Sequence, residues 1–536
     1  MATVYDYFAR AHDRWPDRPM LNVLPETARA YAIPPGEITY TEAMRRVDDF
    51  TERLRGAGVG EGMRAALLLE NRPDYFLLWL ALNRLRASVV PINPDLRASE
   101  LEYLIGHAEP ALIIAVPDRI EALRSAAETS GVEAGIVAVD DAFPSPRKNA
   151  VTARLSEDGD TREAAVLYTS GTTGKPKGCV LDNSYFSEVA EFYAGLGGIA
   201  DLSEAGERMI TPLPIFHMNA MAYSFMAMLR VGGCLTALDR FHPRTWWQSV
   251  LDSGATCLHY LGVMPSILME LPPGEYDRAH KVRFGFGAGV DPKLHAPFEA
   301  RFGFPLSEGW AMTETGAGAV IMNNRTDRLV GKAALGRLPD WLEIRLVDEV
   351  GRDVQEGEPG ELLVRRKGSE PRRGFFREYY KDPEATEAAW TDGWFHTGDV
   401  VRQEANGFLF FVDRRKNVIR RSGENIAAVE VESVLMRHPE VTAAGVAPVP
   451  DTLRGDEVFA LLTVSDPAPE KAEEIARWAL DNMAYYKVPG YIAFVESLPL
   501  TSTQKIQRAE LKALALHHLE KSSTFNLVHL KKRQVS

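Results

Sequence analysis

Residues Tyr168 to Gly178 read Tyr-Thr-Ser-Gly-Thr-Thr-Gly-Lys-Pro-Lys-Gly. The five residues up to Tyr168 are apolar and rich in strand formers, and the pattern beyond Asp182-Asn183-Ser184, three good helix N-caps, is amphipathic from Tyr185 to about Leu196. The expectation is strand, glycine-rich loop, helix. Gly171, Gly174 and Gly178 let backbone N–H groups converge on an anion. Thr169, Ser170, Thr172 and Thr173 add uncharged hydroxyl donors, and Lys177 adds a mobile ammonium. That chemistry suits a polyphosphate. Only two residues separate Gly171 from Gly174-Lys175, and Pro176 follows the lysine, so this is not the loop of ordinary P-loop ATPases.

Outward from the loop, short apolar runs alternate with helical patterns. Strands are expected at 65–69, 89–92, 111–116 and 136–139, with helices at 74–86 and 101–107. A connecting loop at 141–161 carries two prolines and many charges. After the loop, strands are expected at 208–214, 234–238, 256–261, 282–286 and 305–310, and helices at 218–229 and from Asp291-Pro292 onward. Two such sets imply two stacked α/β subdomains with mainly parallel sheets. Between 334 and 412 short strands and Pro-Gly turns suggest a small β-rich unit, read as a β-barrel. Alternation resumes on a smaller scale after about 416. The expected fold class is α/β: a large N-terminal domain at 1–412, a hinge at 413–416, a small mobile α+β C-terminal domain at 417–515, and a loosely held tail at 516–536.

The chain has 536 residues, too many for one ordinary core. Net charge is −13, which disfavours nucleic acid as the main partner. The longest apolar run, near Phe76 to Leu82, falls far short of a membrane span, and the first residues lack the pattern of a signal peptide. Three cysteines, Cys179, Cys234 and Cys257, are unpatterned and fit a reducing cytoplasm without a zinc site. Cys179 adjoins the loop, but it reads better as buried filler than as a nucleophile.

Several residues outside the loop could carry chemistry. Thr313 and Glu314 follow the strand expected to end at Trp310, where open α/β sheets bind ligands. Glu314 could hold Mg²⁺ against phosphate oxygens and Thr313 could donate to an α-phosphate, although a Thr-Glu pair alone also reads as a helix cap. Gly285, Gly287 and Gly289 leave room for a flat ring or an acyl chain, or simply form a tight strand-to-helix turn. Asp399 could accept both hydroxyls of a ribose, or serve a turn. His217, Met218, Asn219, His259, Tyr260 and Gly287 are pocket candidates of mixed polarity, and for His217 the core alternative stays open.

The loop and these strings, in this order, resemble the adenylate-forming (AMP-binding) superfamily over about residues 5–515. The acyl-CoA synthetase branch is closest, with carnitine/crotonobetaine-type and medium-chain fatty acid ligases nearest in flavour. The resemblance implies ATP, Mg²⁺ and coenzyme A, a small carboxylic acid as substrate, a cytoplasmic enzyme, and leaves a homodimer open. It implies that the nucleotide lies against Thr169 to Gly174, Lys177, Gly287, Ala288, Gly289, Trp310, Ala311, Met312 and Thr313, with Asp399 and Arg414 on the ribose. Lys416 would be the hinge, Gly423 and Glu424 would line the pantetheine channel, and Lys505 would act in adenylate formation. His217 stands where amino-acid-activating relatives place an aspartate, which points to the acyl and aryl ligases. Trp310, Ala311 and Gln504 depart from the family pattern of tyrosine, glycine and glycine. The implied reaction joins acid, ATP and CoA through an acyl-adenylate. A carrier-loading adenylation enzyme and a non-catalytic nucleotide sensor are the alternatives.

Overall fold

The alternating runs fold into parallel sheets, as their near-continuous Val, Ile, Leu and Ala content requires of strands buried on both faces. The structure is a computed structural model. It describes all residues except 1, 147–152, 154, 170–174, 349, 415–417, 500–505 and 532–536. It divides into two compact units, one of Met1–Pro94, Ile105–Leu167 and Gly178–Asp413, the other of Asp95–Leu104, Tyr168–Lys177 and Arg414–Ser536.

A seven-stranded sheet runs in the order Glu378–Tyr379, Lys177–Asp182, Glu163–Thr169, Ser88–Pro91, Arg64–Leu68, Leu112–Ala115, Gly135–Ala138. From Glu163–Thr169 to Gly135–Ala138 its ladders are parallel. Its interior holds an ion pair, Arg64 donating to both oxygens of Glu163 at 2.6 and 2.7 Å, with Ser88 Oγ donating to Oε1 as well. A second sheet is parallel through Pro19–Val23, Cys234–Ala237, Arg208–Thr211, Cys257–Leu261, Phe284–Ala288 and Leu306–Trp310. The helices covering the two sheets meet at an aromatic seam. Trp79, in Pro73–Arg84, lies 4.9 Å from Phe186 and 5.8 Å from Phe225, ring centre to ring centre. Three rings from separate helices thus share one buried volume, and such stacking adds to plain area burial.

Two expectations are revised. The loop is followed by a strand, Lys177–Asp182, before the helix Asn183–Ala194, whose N-cap Asp182 accepts from Tyr185 N at 3.0 Å. The strand lies between Glu163–Thr169 and Glu378–Tyr379 and pairs antiparallel with the latter. The helix expected at 218–229 opens as a π-helix, Asn219–Phe225, and only then becomes α-helical at Met226–Val231. The strands of 334–412 continue the second sheet by antiparallel ladders through Ile321–Asn323, Ala334–Arg337, Phe408–Arg414, Trp394–Gln403, Gly360–Arg366 and Leu342–Val347, and among the described residues no ladder closes them into a ring.

The second unit has its own six-stranded sheet. Along Gly455–Val464, Val458, Ala460 and Leu462 enter one core, and Phe459 and Leu461 the other, the period of two expected of a strand covered on both faces. The tail at 516–536 is not loose as far as residue 531. The helix Arg508–Leu519 runs into it, Phe525–Asn526 pairs antiparallel with Tyr491–Phe494, and Lys531 is buried against Glu457. Among the described residues no helix is long and apolar enough to cross a membrane.

Candidate functional site

Trp310, Met312, Thr313 and Glu314 lie at or just beyond the carboxyl end of Leu306–Trp310, a parallel strand of the second sheet, and Ala288 and Gly289 at that of its neighbour Phe284–Ala288. Beyond Leu306–Trp310 the chain turns tightly: Met312 N donates to Thr315 Oγ1 at 2.9 Å and Gly316 N to Met312 O at 3.0 Å. Gly316 has φ +48°, and a side chain there would strike Tyr185 and the Gly374 carbonyl. Tyr185 O–H donates to Thr313 O at 3.0 Å, and its oxygen lies 4.0 Å from Met218 Sδ. Tyr223 O–H donates to Gly316 O at 3.0 Å. Two phenols therefore tie the Asn219–Phe225 helix and its N-cap Met218 to the Trp310–Gly316 turn.

Glu314 is 8% exposed. Its Oε1 accepts from Tyr379 O–H at 2.9 Å. Burial and the Glu314 charge beside it push the Tyr379 phenol far above its ordinary range, so it stays a neutral donor. The other carboxylate oxygen has no hydrogen-bond partner among the described residues. An anionic oxygen held this way fits Mg²⁺, which takes one or two carboxylates and completes its shell with phosphate and water. Among the described residues no group of three or more His, Cys, Asp or Glu could hold a metal ion, so phosphates and water would have to supply most of its ligands.

Trp310 and Asp399 are paired directly. The indole Nε1–H donates to Asp399 Oδ2 at 2.8 Å, with the two residues 4% and 1% exposed. The polar edge of Trp310 is thus engaged, and Asp399 is fixed before any ligand arrives. Asp399 sits one residue after Gly398, whose φ of +69° breaks the ladder with Gly360–Arg366.

Gly287 serves the protein's own packing. A Cβ there would collide with the carbonyl and ring of Tyr260, so the space expected for a ligand ring is filled. A Cβ at Gly262 would likewise meet Gly289 O, and Gly289 has φ +81°. Tyr260 is buried, its hydroxyl 3.4 Å from Ser307 O. Ala288 is half-buried and Gly289 exposed at the strand end. His217 is half-buried against the Phe216 ring, 4.7 Å away, and its carbonyl accepts from Met221 N. His259 is 0% exposed, and burial lowers its imidazole to about 3. The cysteines are all buried; burial lifts Cys234 to about 12 and Cys257 well above its usual range, so neither is a nucleophile near neutrality.

In the second unit Ser422 and Gly423 join Val418–Arg421 to Glu424–Ala427 with φ of +51° and +90°. This is the two-residue hairpin turn that needs positive φ twice. The glycine is thus required locally, whatever passes beside it. Glu424 is half-buried, and its charge helps raise the Tyr486 phenol. Thr169 ends one strand and Lys177 begins the next. Ser170, Gly171, Thr172, Thr173, Gly174, Lys416 and Lys505 lie outside the described residues, and Arg414 is described only as the last residue of Phe408–Arg414. Tyr185, Tyr379 and the Asn219–His259 contact carry no sequence signal, since their partners are far along the chain.

The model of the AMP-binding enzyme family matches residues 8–380, and that of the AMP-binding enzyme C-terminal domain matches 430–505. The chain belongs to the AMP-binding enzyme family. This AMP-binding enzyme is 28% identical to the crotonobetaine/carnitine–CoA ligase of Shigella flexneri over 491 residues, 88% of this chain and 93% of that one. It is also 28% identical to the ligase of the same name from Proteus mirabilis over 497 residues, 89% of this chain and 93% of that one. Among solved structures it resembles a malonyl-CoA ligase bound to methylmalonyl-CoA and AMP, with TM-score 0.74, 27% identity, and coverage of 90% and 97%. The o-succinylbenzoate CoA synthetase of Bacillus subtilis shares the fold, with TM-score 0.78, 24% identity, and coverage of 95% and 98%.

Proposed function

We propose that this protein is an ATP-dependent carboxylic acid–CoA ligase acting in two steps, in the cytoplasm. The observation that carries the reading is Glu314: a carboxylate at the end of a parallel strand, held at one oxygen by Tyr379 and unbonded at the other, beside Thr313. The names of the relatives and the malonyl-CoA ligase likeness support it. In the first step the acid's carboxylate oxygen attacks the α-phosphorus of ATP, the bond to the β-phosphate oxygen breaks, and pyrophosphate leaves. In the second the CoA sulfur attacks the acyl carbon, the carbon–oxygen bond to AMP breaks, and the thiol proton passes to solvent. Mg²⁺, when bound through Glu314, would neutralise phosphate charge. The Thr169 to Gly174 loop and Lys177 are assigned to the phosphates, Trp310, Ala311 and Met312 to the base, and Asp399 and Arg414 to the ribose. Most of the first step is positioning and charge neutralisation.

Lys505 is assigned to the first step and the Gly423 turn to the second, with rotation about Lys416 between them. The test measures each half-reaction alone, with folding followed by thermal melting. Lys505→Ala should abolish adenylate formation, by about 100-fold or more, while still converting a supplied acyl-adenylate to acyl-CoA. Because Gly423 has φ +90°, Gly423→Asn is the better probe of the second step: asparagine tolerates positive φ more than other side chains, so it adds bulk with the least strain. It should slow thioester formation more than adenylate formation. Equal slowing of both halves by Lys505→Ala would contradict the division of labour.

A further inference from the structure

Four polar groups, three of them buried, converge at the start of the Asn219–Phe225 helix. Tyr193 OH is 3.0 Å from His259 Nε2, and Asn219 Oδ1 and Ser224 Oγ are 2.7 and 2.8 Å from His259 Nδ1. Ser224 O–H donates to the Asn219 carbonyl at 3.2 Å. With the Asn219 side-chain oxygen turned toward the ring, these contacts have one consistent proton arrangement. The Ser224 proton is committed to the carbonyl, so its oxygen must accept, and the Asn219 side-chain oxygen can only accept. Nδ1 of His259 therefore carries the ring proton and shares it between them, and Nε2 accepts from the Tyr193 phenol. Both neighbours agree with this: burial holds the imidazole neutral, and burial pushes the Tyr193 phenol well above its ordinary range.

The arrangement uses the oxygen of Asn219 and leaves its amide nitrogen. Asn219 is half-buried, and among the described residues that nitrogen has no partner. Its two N–H groups are the only polar output of a network otherwise closed on itself. The position is one where open α/β sheets place ligand contacts. The Pro214–Asn219 stretch follows the carboxyl end of the Arg208–Thr211 strand, next in the sheet to Cys257–Leu261. Met218 is linked through Tyr185 to Thr313. π-helical turns, which interrupt the regular ladder, are frequent at functional sites. The bonded partners in this network are a phenol, an imidazole, a hydroxyl and an amide, none of them a counter-charge, so it is matched to an uncharged ligand group.

We propose that Asn219, oriented by His259, selects carboxylic acids whose acyl part carries a neutral oxygen acceptor, such as a ketone or amide carbonyl. This rests on the ligase reading and names its substrate class. Asn219 would be the specificity-determining contact and His259 the residue that positions it. A buried donor left unpaired discriminates strongly against an analogue lacking the acceptor, whereas an apolar pocket separates such pairs only weakly.

The experiment compares kcat/KM, by CoA-dependent AMP release, for hexanoate, for hexanoates with a ketone at carbon 3, 4 or 5, and for adipate. The best keto acid should exceed both hexanoate and adipate by about 10-fold or more. Asn219→Leu should collapse the keto-to-hexanoate ratio toward one, and His259→Phe should reduce it, with folding checked by thermal melting. A ratio is read because a general loss of structure lowers both rates and leaves it in place. The proposal is overturned if hexanoate or adipate matches every keto acid, or if Asn219→Leu leaves the ratio unchanged. Turnover with the wrong selectivity removes this proposal alone, whereas AMP release from no acid removes the ligase reading with it.

Discussion

His259 and Glu457 are both wholly buried polar groups, one in each unit, and their surroundings differ in kind. Glu457 accepts from Arg421 Nε at 2.9 and 2.8 Å, from Val458 N at 2.9 Å and from Lys531. Even the approach of Gly490 is fitted to it, since a Cβ there would come within 2.6 Å of the carboxylate carbon. All of these contacts lie inside the protein. The His259 network is equally well satisfied but ends on a half-exposed amide. A polar cluster closed on all sides holds chain segments together, here the 527–531 end against the Val418–Arg421 hairpin strand. A cluster with one end directed outward presents a group to something else. Both are expensive to bury, and only the second has a reason to be polar that lies outside the fold.

The sharpest way to break that contrast is to remove the carboxylate. Glu457→Gln leaves Arg421 and Lys531 buried without a counter-charge and should destabilise the second unit by about 3–5 kcal/mol. Hydrogen exchange within that unit, read separately from the first, measures it. A loss below about 1 kcal/mol would mean that the cluster does not hold the segment. The next effect is acid sensitivity from His259. Its folded pKa of about 3 lies below the ordinary 6.5, so the unfolded chain takes up a proton that the folded protein refuses. Stability from this group is present above 6.5 and is lost as pH falls from there toward 3, by about 2 kcal/mol between pH 6.5 and 5. His259→Phe should flatten that part of a denaturation profile of the first unit, and an unchanged slope would contradict the neutral network.

Near pH 7 Lys531 should give the smallest effect. Burial and the Arg421 charge lower its ammonium to about 7 despite the contact with Glu457. The unfolded chain holds the proton up to about 10.5, so stability should rise with pH from about 7 toward that value. Lys531→Met should remove the rise and change stability near pH 7 by only about 1 kcal/mol, because Arg421 still serves Glu457. A loss as large as that of Glu457→Gln would make the two cations equal partners.

What was legible in the sequence follows from where each residue's partners lie. The strands at 64–68, 88–91 and 112–115 announce themselves, because burial on both faces demands an apolar run whatever the neighbours are. Asp291-Pro292 marks its helix because a cap is a local hydrogen bond, here from Lys293 N at 2.8 Å. The strand Lys177–Asp182 was hidden, since its Lys-Gly start reads as loop and one of its two strand partners, Glu378–Tyr379, lies about 200 residues further on. The π-helix was hidden because Tyr223 is held by Gly316, far along the chain. Lys531 reads as a solvated terminal cation and is buried only because Glu457 takes it. The carboxylates of the candidate site, Glu314 and Asp399, stood out by their strings, but Tyr379 and the Trp310 indole that hold them did not. The Trp310–Asp399 contact spans 89 residues, and no local pattern encodes it.

The central claim is that an acid-dependent adenylation ends in a thioester, with Glu314 at its centre. The most direct test is to quantify AMP, ADP and acyl-CoA from ATP, a panel of carboxylic acids and CoA, with the natural chain and with Glu314→Gln. The account predicts AMP and acyl-CoA in equal amounts, only when both acid and CoA are present, and at least 100-fold less of both with Glu314→Gln. ADP as the product, AMP released without an acid, or full activity in Glu314→Gln would contradict it.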